Sequence, residues 1–229
     1  MKLGTLALIG VTALAVPPTA AVAAKVVVVR STGPSAKAYP PGKALTDSTS
    51  IKLSNGDIVT LIGPSAAKTL RGPGVFTASA AGAGSLAAAA GRRGRFGAMR
   101  TGQVAKNPGL WDLDVSQNGK MCVARPGQVN VWRPNADAAA KLTIRGSGGR
   151  QQVVEFAPGQ HSRPWPAQLP VSNGSDYQFQ WADGRDPSKL SLVTVSAPPS
   201  DLPGAAQLLI EKGCENQLEL LVQSAAKAK

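Results

Sequence analysis

Side chains able to do acid–base chemistry are few in this sequence. His161 is the only histidine, and it stands in the polar stretch Gly159-Gln160-His161-Ser162-Arg163. A Ser-His-Asp triad would have to use His161, and a general base needs an orienting partner that the sequence does not identify. The Gly-x-Ser-x-Gly segment that surrounds many serine nucleophiles is also missing. We therefore expect an exposed loop histidine rather than a catalytic one.

Two acidic residues are the next candidates for chemistry. Asp112 and Asp114 are predicted on the same face of a strand, where they could share a cation or a proton. Calcium takes about six or more oxygen ligands. The sequence has no Asp-x-Asp-x-Asp-Gly loop, so a solvated strand face is the favoured interpretation. One histidine and two cysteines also fall short of the about four N/S ligands of structural zinc. We expect no enzyme, metal or cofactor.

The two cysteines, Cys122 and Cys214, are predicted to form one disulfide. An even pair in an oxidising compartment usually becomes a bridge. This bridge would close a loop of roughly 90 residues, a constraint worth about 4–5 kcal/mol on the unfolded chain. Two separate buried thiols are the alternative. A redox couple would need a Cys-x-x-Cys spacing, which the sequence lacks.

The compartment is predicted from residues 1–24. Lys2 is the only charge there, an apolar stretch runs from Leu3 to Val16, and small residues end at Ala23-Ala24. This pattern predicts a secretory signal peptide over residues 1–24. A membrane anchor is the alternative, but the apolar stretch is shorter than the about 18–20 residues that span a bilayer. We expect a soluble mature protein that is periplasmic or secreted and carries no transmembrane segment.

Positive charge is concentrated in the N-terminal half. The formal net charge is +12 at pH 7, and residues 25–76 hold seven Lys/Arg against two acids, Asp47 and Asp57. Residues 77–108 contain no acid and are rich in Ala, Gly and Arg, which predicts a flexible linker. The candidate polyanion contacts in this linker are Arg92, Arg93, Arg95 and Arg100.

Residues 25–76 predict a small basic β domain. Val26 to Val29 is a continuous β-branched run, typical of a strand that is covered on both faces. Asn55-Gly56-Asp57 is a strong turn signal between the candidate strands Ile51–Leu53 and Ile58–Ile62. The expectation is a β-meander whose core is too small to be stable alone, so it packs on the second domain or on a partner.

Residues 109–229 predict a second β domain that ends in helices. Short apolar segments alternate with Gly-, Asn- and Pro-containing turns, a pattern typical of an immunoglobulin-like β-sandwich. The candidate strands are Leu110–Val115, Met121–Ala124, Gln128–Trp132, Leu142–Arg145, Gln151–Phe156, Tyr177–Trp181 and Leu190–Val195. The expected fold class is mainly β: a small N-terminal β-meander plus this sandwich with a C-terminal helical pair.

After residue 199 the apolar period changes to that of a helix. Ser200 or Asp201 is a candidate N-cap, and Gly213 is a candidate C-terminal stop. A second helix follows with one apolar side, and Gln217 is expected outside that side. Cys214 lies between the two helices, so the predicted disulfide would fix the helical pair to the sandwich.

Several short segments resemble exported proteins of unknown function from alphaproteobacteria. They include Tyr39-Pro40-Pro41-Gly42, Thr69-Leu70-Arg71-Gly72-Pro73-Gly74, Trp111-Asp112-Leu113-Asp114, Trp132-Arg133-Pro134 and Lys212-Gly213-Cys214. Gly56-Asp57, placed between two strands, resembles a turn in the periplasmic β domain of FecR-type signalling proteins. The first resemblance implies no known activity, and the second implies a β domain outside the cytoplasm.

Two binding functions are expected in place of catalysis. In the first, exposed strand edges and Trp132, Trp165 or Trp181 contact another envelope protein. Core packing is the alternative for each tryptophan. In the second, the basic N-terminal half and the linker bind a polyanion such as lipopolysaccharide, anionic lipid or nucleic acid. The alternative there is that positive charge only aids solubility. The oligomeric state does not follow from the sequence.

We expect N-terminal sequencing of the exported protein to find Ala24 or Lys25 as the first residue. The physical reason is that the peptidase pocket accepts only the short side chains that precede these positions. Exported material that still begins with Met1 would contradict the signal peptide.

Overall fold

The computed structural model describes residues 25–81 and 108–227. The predicted signal peptide and the linker residues Arg92, Arg93, Arg95 and Arg100 lie outside the described residues. Within the described ranges the chain is mainly β and ends in two helices, as the sequence predicts. Three units pack in series: an N-terminal β unit, a helical pair and a β-sandwich.

The N-terminal β unit, residues 25–81, contains six strands. They are β1 (Lys25–Thr32), β2 (Ala44–Thr46), β3 (Ser50–Leu53), β4 (Ile58–Ile62), β5 (Ala67–Arg71) and β6 (Gly74–Thr77). Short 3₁₀ helices cover Pro34–Lys37 and Ala78–Ala81. Four strands form an antiparallel sheet in the order β2-β1-β4-β5, and β3 pairs with β6 in a second sheet.

The strand order in this unit is not that of a simple meander. The Asn55-Gly56-Asp57 turn does not close a hairpin, because β3 before it pairs with β6 and β4 after it pairs with β1 and β5. The turn carries the chain from one sheet to the other. Ile51 of β3 and Leu61 of β4 then share a buried core between the two sheets. The hairpin that does form joins β4 to β5 through a turn that begins at Gly63-Pro64.

Strand β1 is covered on both faces, as its β-branched run predicts. Val26 and Val28 belong to the core shared with the β3–β6 sheet, whereas Val29 belongs to a second core shared with the helices. A β-bulge between Val28 and Arg30 leaves Val29 as the extra residue before the Arg30–Thr60 pair. Val29 and Arg30 therefore both reach the helical side, Val29 buried and Arg30 exposed.

The β-sandwich, residues 108–195, contains eight strands in two sheets. They are β7 (Leu113–Asp114), β8 (Gly119–Val123), β9 (Asn130–Trp132), β10 (Ala140–Gly146), β11 (Gln151–Phe156), β12 (Ser162–Pro164), β13 (Ser175–Trp181) and β14 (Ser188–Thr194). The larger sheet has the order β11-β10-β13-β14-β8, the smaller β12-β9-β7. Leu113, Val131, Leu142 and Phe179 meet in the core between them. All seven predicted strands are present. Strand β12 was not predicted, because its residues are exposed and show no alternation of apolar and polar side chains.

The C-terminal helical pair consists of α1 (Leu202–Lys212) and α2 (Glu215–Lys227). Asp201 caps α1 by accepting a hydrogen bond from the Gly204 backbone N–H at 2.8 Å. Gly213 ends α1 in the left-handed conformation, with φ 71°, which a residue without a Cβ adopts at low cost. Both predicted helix boundaries are confirmed.

The helical pair joins the other two units through one core. From the N-terminal β unit this core contains Val29, Ile62 and Ala67, and from the sandwich it contains Cys122 and Val195. The helices contribute Ala205, Ala206, Leu209, Leu221 and Ala225. This contact supplies the additional apolar surface that a β unit of this size needs for stability.

A buried carboxylate fixes the loop that follows β1. Asp57 is 1 % exposed and accepts backbone N–H bonds from Ser35 at 2.8 Å and from Ser54 at 2.5 Å. Hydrogen bonding to Ser35 is the main cause that holds the pKa of Asp57 below its ordinary value. Gly33, with φ 101°, packs against this carboxylate, and an added Cβ would lie 2.5 Å from Oδ1. Glycine is therefore required at position 33.

We expect Asp57→Asn to destabilise the protein at about pH 7 and to reduce its loss of stability in acid at about pH 3. A carboxylate with a lowered pKa stabilises the fold above its unfolded-state pKa. This contribution is lost as the pH falls through the folded-state value. Urea unfolding at both pH values measures the effect, and Asp47→Asn, the other acid of the unit, is the control. Equal urea midpoints for Asp57→Asn and the unchanged chain near neutrality would contradict this role of Asp57.

Candidate functional site

The predicted disulfide is confirmed and lies between the sandwich and the helical pair. Cys122 of β8 and Cys214, between α1 and α2, are both fully buried, and their Cα atoms are 5.9 Å apart. Strand β8 is the last strand of the larger sheet. The bridge therefore ties the junction of the two helices covalently to the edge of the sandwich.

Gln217 of α2 makes a second connection between this helix and β8, beside the disulfide. Its Oε1 accepts the Cys122 N–H at 2.6 Å, and its Nε2 donates to the carbonyl oxygens of Cys122 at 2.9 Å and Leu110 at 2.6 Å. One amide thus pairs with the edge of β8 as a neighbouring strand would. The prediction that Gln217 lies outside the apolar side of α2 is wrong, since the residue is 1 % exposed. The reason is that a covered strand edge needs a polar partner.

The sequence contained a signal for this burial. Positions 214, 217, 221 and 225 follow the i, i+3, i+7, i+11 spacing of one helix face. Cys214, Leu221 and Ala225 at three of these positions are buried. A glutamine in that series carries both a donor and an acceptor on one amide, the pair of groups that a strand edge requires.

A groove of about 440 Å³ lies where β1 meets the helical pair, and we call it the helix groove. Its apolar walls are formed by Val29 of β1, Leu209 and Ile210 of α1, and Leu218 and Val222 of α2. Its polar rim is formed by Arg30, Thr60, Glu215, Asn216 and Glu219. The disulfide and Gln217 hold the helical pair against β8, and the shared apolar core holds it against β1.

The rim of the helix groove carries an ion pair between two units. Arg30 Nη2 donates to Glu219 Oε2 at 2.5 Å and so connects β1 to α2. Hydrogen bonds from Gln223 and then from Arg30 lower the pKa of Glu219. The two side chains are 64 % and 41 % exposed, so water screens their attraction. The pair therefore orients the rim more than it stabilises the fold.

Two of the three tryptophans proposed as partner contacts lie in the interior. Trp132 and Trp181 are 5 % and 4 % exposed, and the Trp181 ring packs 5.8 Å from that of Phe156. Core packing, the alternative interpretation, describes both residues. Trp181 also lines a cleft beside Lys141 and Glu155.

Trp165 keeps a position at the surface. It is half-buried and lines a separate cleft of about 530 Å³ beside Pro126–Gln128 and Pro164. Its Nε1 donates to the Leu169 carbonyl at 2.8 Å, and its ring meets Tyr177 edge-on at 4.9 Å. This indole is held in one orientation, with part of it open to solvent.

The histidine is a structural residue of the sandwich. His161 is half-buried rather than exposed, because its ring stacks on Trp132 with the centroids 5.9 Å apart. Its Nδ1 lies 2.8 Å from the carbonyl oxygen of Arg133. The Arg133 side chain is itself buried and donates to three backbone carbonyls, and burial lowers its pKa. Sequence reasoning did not anticipate this buried arginine.

The two aspartates serve local turns. Asp112 precedes β7 and accepts hydrogen bonds from the Gly109 N–H at 2.8 Å and the Asn130 amide at 3.2 Å. Asp114, within β7, accepts the Ser116 N–H at 3.0 Å. Within residues 25–81 and 108–227, His, Cys, Asp and Glu form no group of three or more that could hold a metal ion.

Neither a family model, nor a curated protein, nor a solved structure matches this chain. The resemblances to exported alphaproteobacterial proteins and to FecR-type β domains therefore stay predictions. Across the two described ranges, the structure contains no helix that is both long and apolar enough to cross a membrane.

We expect Gln217→Met to lower the free energy of unfolding by about 2–4 kcal/mol, because it leaves the buried N–H and carbonyl of Cys122 and the partly buried carbonyl of Leu110 without this partner. Gln223→Met, an exposed change on the same helix, is the control and should stay within about 0.5 kcal/mol. Chemical denaturation with the disulfide intact measures both. Equal effects of the two substitutions would contradict the assignment of Gln217 to the edge of β8.

Proposed function

We propose that the protein is a non-enzymatic binding module of an oxidising compartment, periplasmic or extracellular, and that it docks another envelope protein through the helix groove. The observation that carries the proposal is the groove itself, an apolar-walled cavity of about 440 Å³ with a charged rim. Cavities of a few hundred cubic ångströms with such linings are typical binding sites. The buried disulfide supports the compartment, because structural bridges persist under oxidising conditions.

The chemistry of the helix groove favours one kind of partner segment. Its walls are aliphatic side chains from β1 and both helices, which suit an inserted apolar side chain. On the rim, Glu219 is already paired with Arg30, whereas Glu215 forms no ion pair within the described residues. Glu215 lies in the first turn of α2, and a rim carboxylate without an ion-pair partner favours a basic group. We infer a segment that presents an apolar residue next to a lysine or arginine.

Binding rather than catalysis is supported by where the reactive groups lie. The single histidine is stacked on Trp132 in the sandwich, and both cysteines are joined in the disulfide. The described lining of the helix groove therefore offers carboxylates but neither an imidazole nor a thiol. The resemblance of Gly56-Asp57 to FecR-type domains would place the partner in envelope sensing or assembly.

The test compares two glutamates that lie four positions apart in the sequence, Glu211 in the last turn of α1 and Glu215 in the first turn of α2. The chain from Lys25 to Lys229 captures its partner from envelope extract, and the purified partner is then titrated by calorimetry. We expect Glu215→Lys to weaken binding at least about tenfold, because it replaces attraction by repulsion at the groove rim. Glu211→Lys makes the same charge change on an exposed site of α1 outside the groove lining, and should change the affinity by less than about twofold.

Salt provides an independent readout. Docking driven by the apolar walls persists at high ionic strength, whereas binding by charge alone collapses. Equal effects of the two glutamate substitutions, or complete loss of binding in high salt, would contradict docking through the helix groove.

A further inference from the structure

The two edges of the larger sheet of the sandwich are covered differently. At one edge, β8 lies under α2, and the Gln217 amide pairs with the N–H and the carbonyl of Cys122. At the other edge, β11 (Gln151–Phe156) pairs with β10 on one side, and no strand of residues 25–81 or 108–227 pairs with its other side. This second edge is a row of backbone groups that a further strand can bond to.

The open backbone groups of β11 belong to alternate residues. The Gly146 N–H donates to the Arg150 carbonyl at 2.9 Å where the hairpin of β10 and β11 closes. In an antiparallel ladder the residues that bond to the neighbouring strand alternate with those that point away from it. Gln151, Val153 and Glu155 therefore direct their N–H and carbonyl groups away from β10. Among the described residues, none forms a hydrogen bond with these groups.

Strand β11 lacks the features that usually keep an edge strand from pairing. Its six residues include neither proline nor lysine, and its register with β10 runs without a bulge. Its one charged side chain, Glu155, is paired with Lys141 at 2.8 Å. By contrast, the edge strand β12 of the smaller sheet ends in Pro164, which has no N–H to donate. Val153, in the middle of β11, is 55 % exposed.

The open residues of β11 are complementary to those of a second copy. When two β11 strands meet antiparallel about a two-fold axis at Val153, each Val153 lies opposite the other, and each Gln151 lies opposite a Glu155. Every one of these pairs exchanges two backbone hydrogen bonds. The valines cover each other, and each carboxylate faces a neutral amide that can donate to it. Any other register leaves one of the open residues of each copy without a strand partner.

We propose that the protein forms a dimer through the edge of β11, so that the larger sheets of two copies join into one continuous sheet. A single pair of short strands buries less than the about 1,200 Å² of a standard interface, so we expect a dissociation constant of about 10–100 μM. The helical pair lies against β8 at the opposite edge of the sheet, so this inference does not depend on the helix groove.

Sedimentation equilibrium over a range of concentrations measures the dimer. We expect the chain from Lys25 to Lys229 to be mainly monomer at about 1 μM and mainly dimer at about 300 μM. Val153→Lys should raise the dissociation constant at least about tenfold, because it places two ammonium groups opposite each other on the two-fold axis. Val75→Lys is the matched control: it makes the same exchange at the exposed valine of β6. It should change the constant by less than about twofold.

The register is tested by crosslinking. The two natural cysteines are joined in a disulfide, so Val153→Cys adds one reactive thiol. In the symmetric pair the Cα atoms at this position lie about 5.5 Å apart, within the range of a disulfide, so mild oxidation should give a covalent dimer. Gln151→Cys is the control. Its two copies lie about 14 Å apart along the strands, so it should crosslink at least about fivefold more slowly.

Three outcomes would overturn the proposal. One is a chain that stays monomeric at the highest concentration, even where β11 then binds an extended segment of another protein. Another is an equal effect of the two lysine substitutions on the dissociation constant, which would place the contact elsewhere. The last is equal crosslinking of the two cysteine variants, which would indicate random collision.

Discussion

The backbone of Cys122 on the edge of β8 has no further strand to pair with, although helix α2 covers it. A buried N–H and carbonyl without partners would be costly, and the chain satisfies both with the amide of Gln217. The disulfide from the same residue holds the helix junction in place. The position of α2 then sets that of α1, and together they cover the N-terminal sheet. The helix groove thus depends on the contacts at this strand edge together with the core that the helices share with β1.

Features with a local cause could be predicted from the sequence. The run Val26 to Val29 can be buried on two faces only in a covered strand, and β1 is one. Asp201 and Gly213 mark the ends of α1 through their own backbone chemistry. The disulfide followed from a single pair of cysteines together with the oxidising compartment that the signal peptide predicts. These signals act within a few residues or through counting, so no knowledge of the final packing was needed.

Features decided by distant packing could not be predicted in the same way. The turn at Asn55-Gly56-Asp57 suits a hairpin and a sheet crossing equally, and the choice is made by the core that β3 and β4 share. The sequence did not decide whether Trp132 and Trp181 contact a partner or pack in the core, because this depends on the residues that cover them in the folded sandwich. The rim of the helix groove depends on a bulge in β1 that turns Arg30 toward Glu219, although 189 positions separate the two.

The order of synthesis affects when the core that joins the helical pair to the other two units can form. Synthesis begins at the N-terminus, so β1, β4 and β5 exist long before residues 202–227 do. Until those last residues are made, Val29, Ile62 and Ala67 lack most of their core partners, which are in α1 and α2. The sheet that is synthesised first is thus among the last to have its apolar face covered. During synthesis the chain therefore carries an apolar strand face that is fully covered only once its final helices have been made.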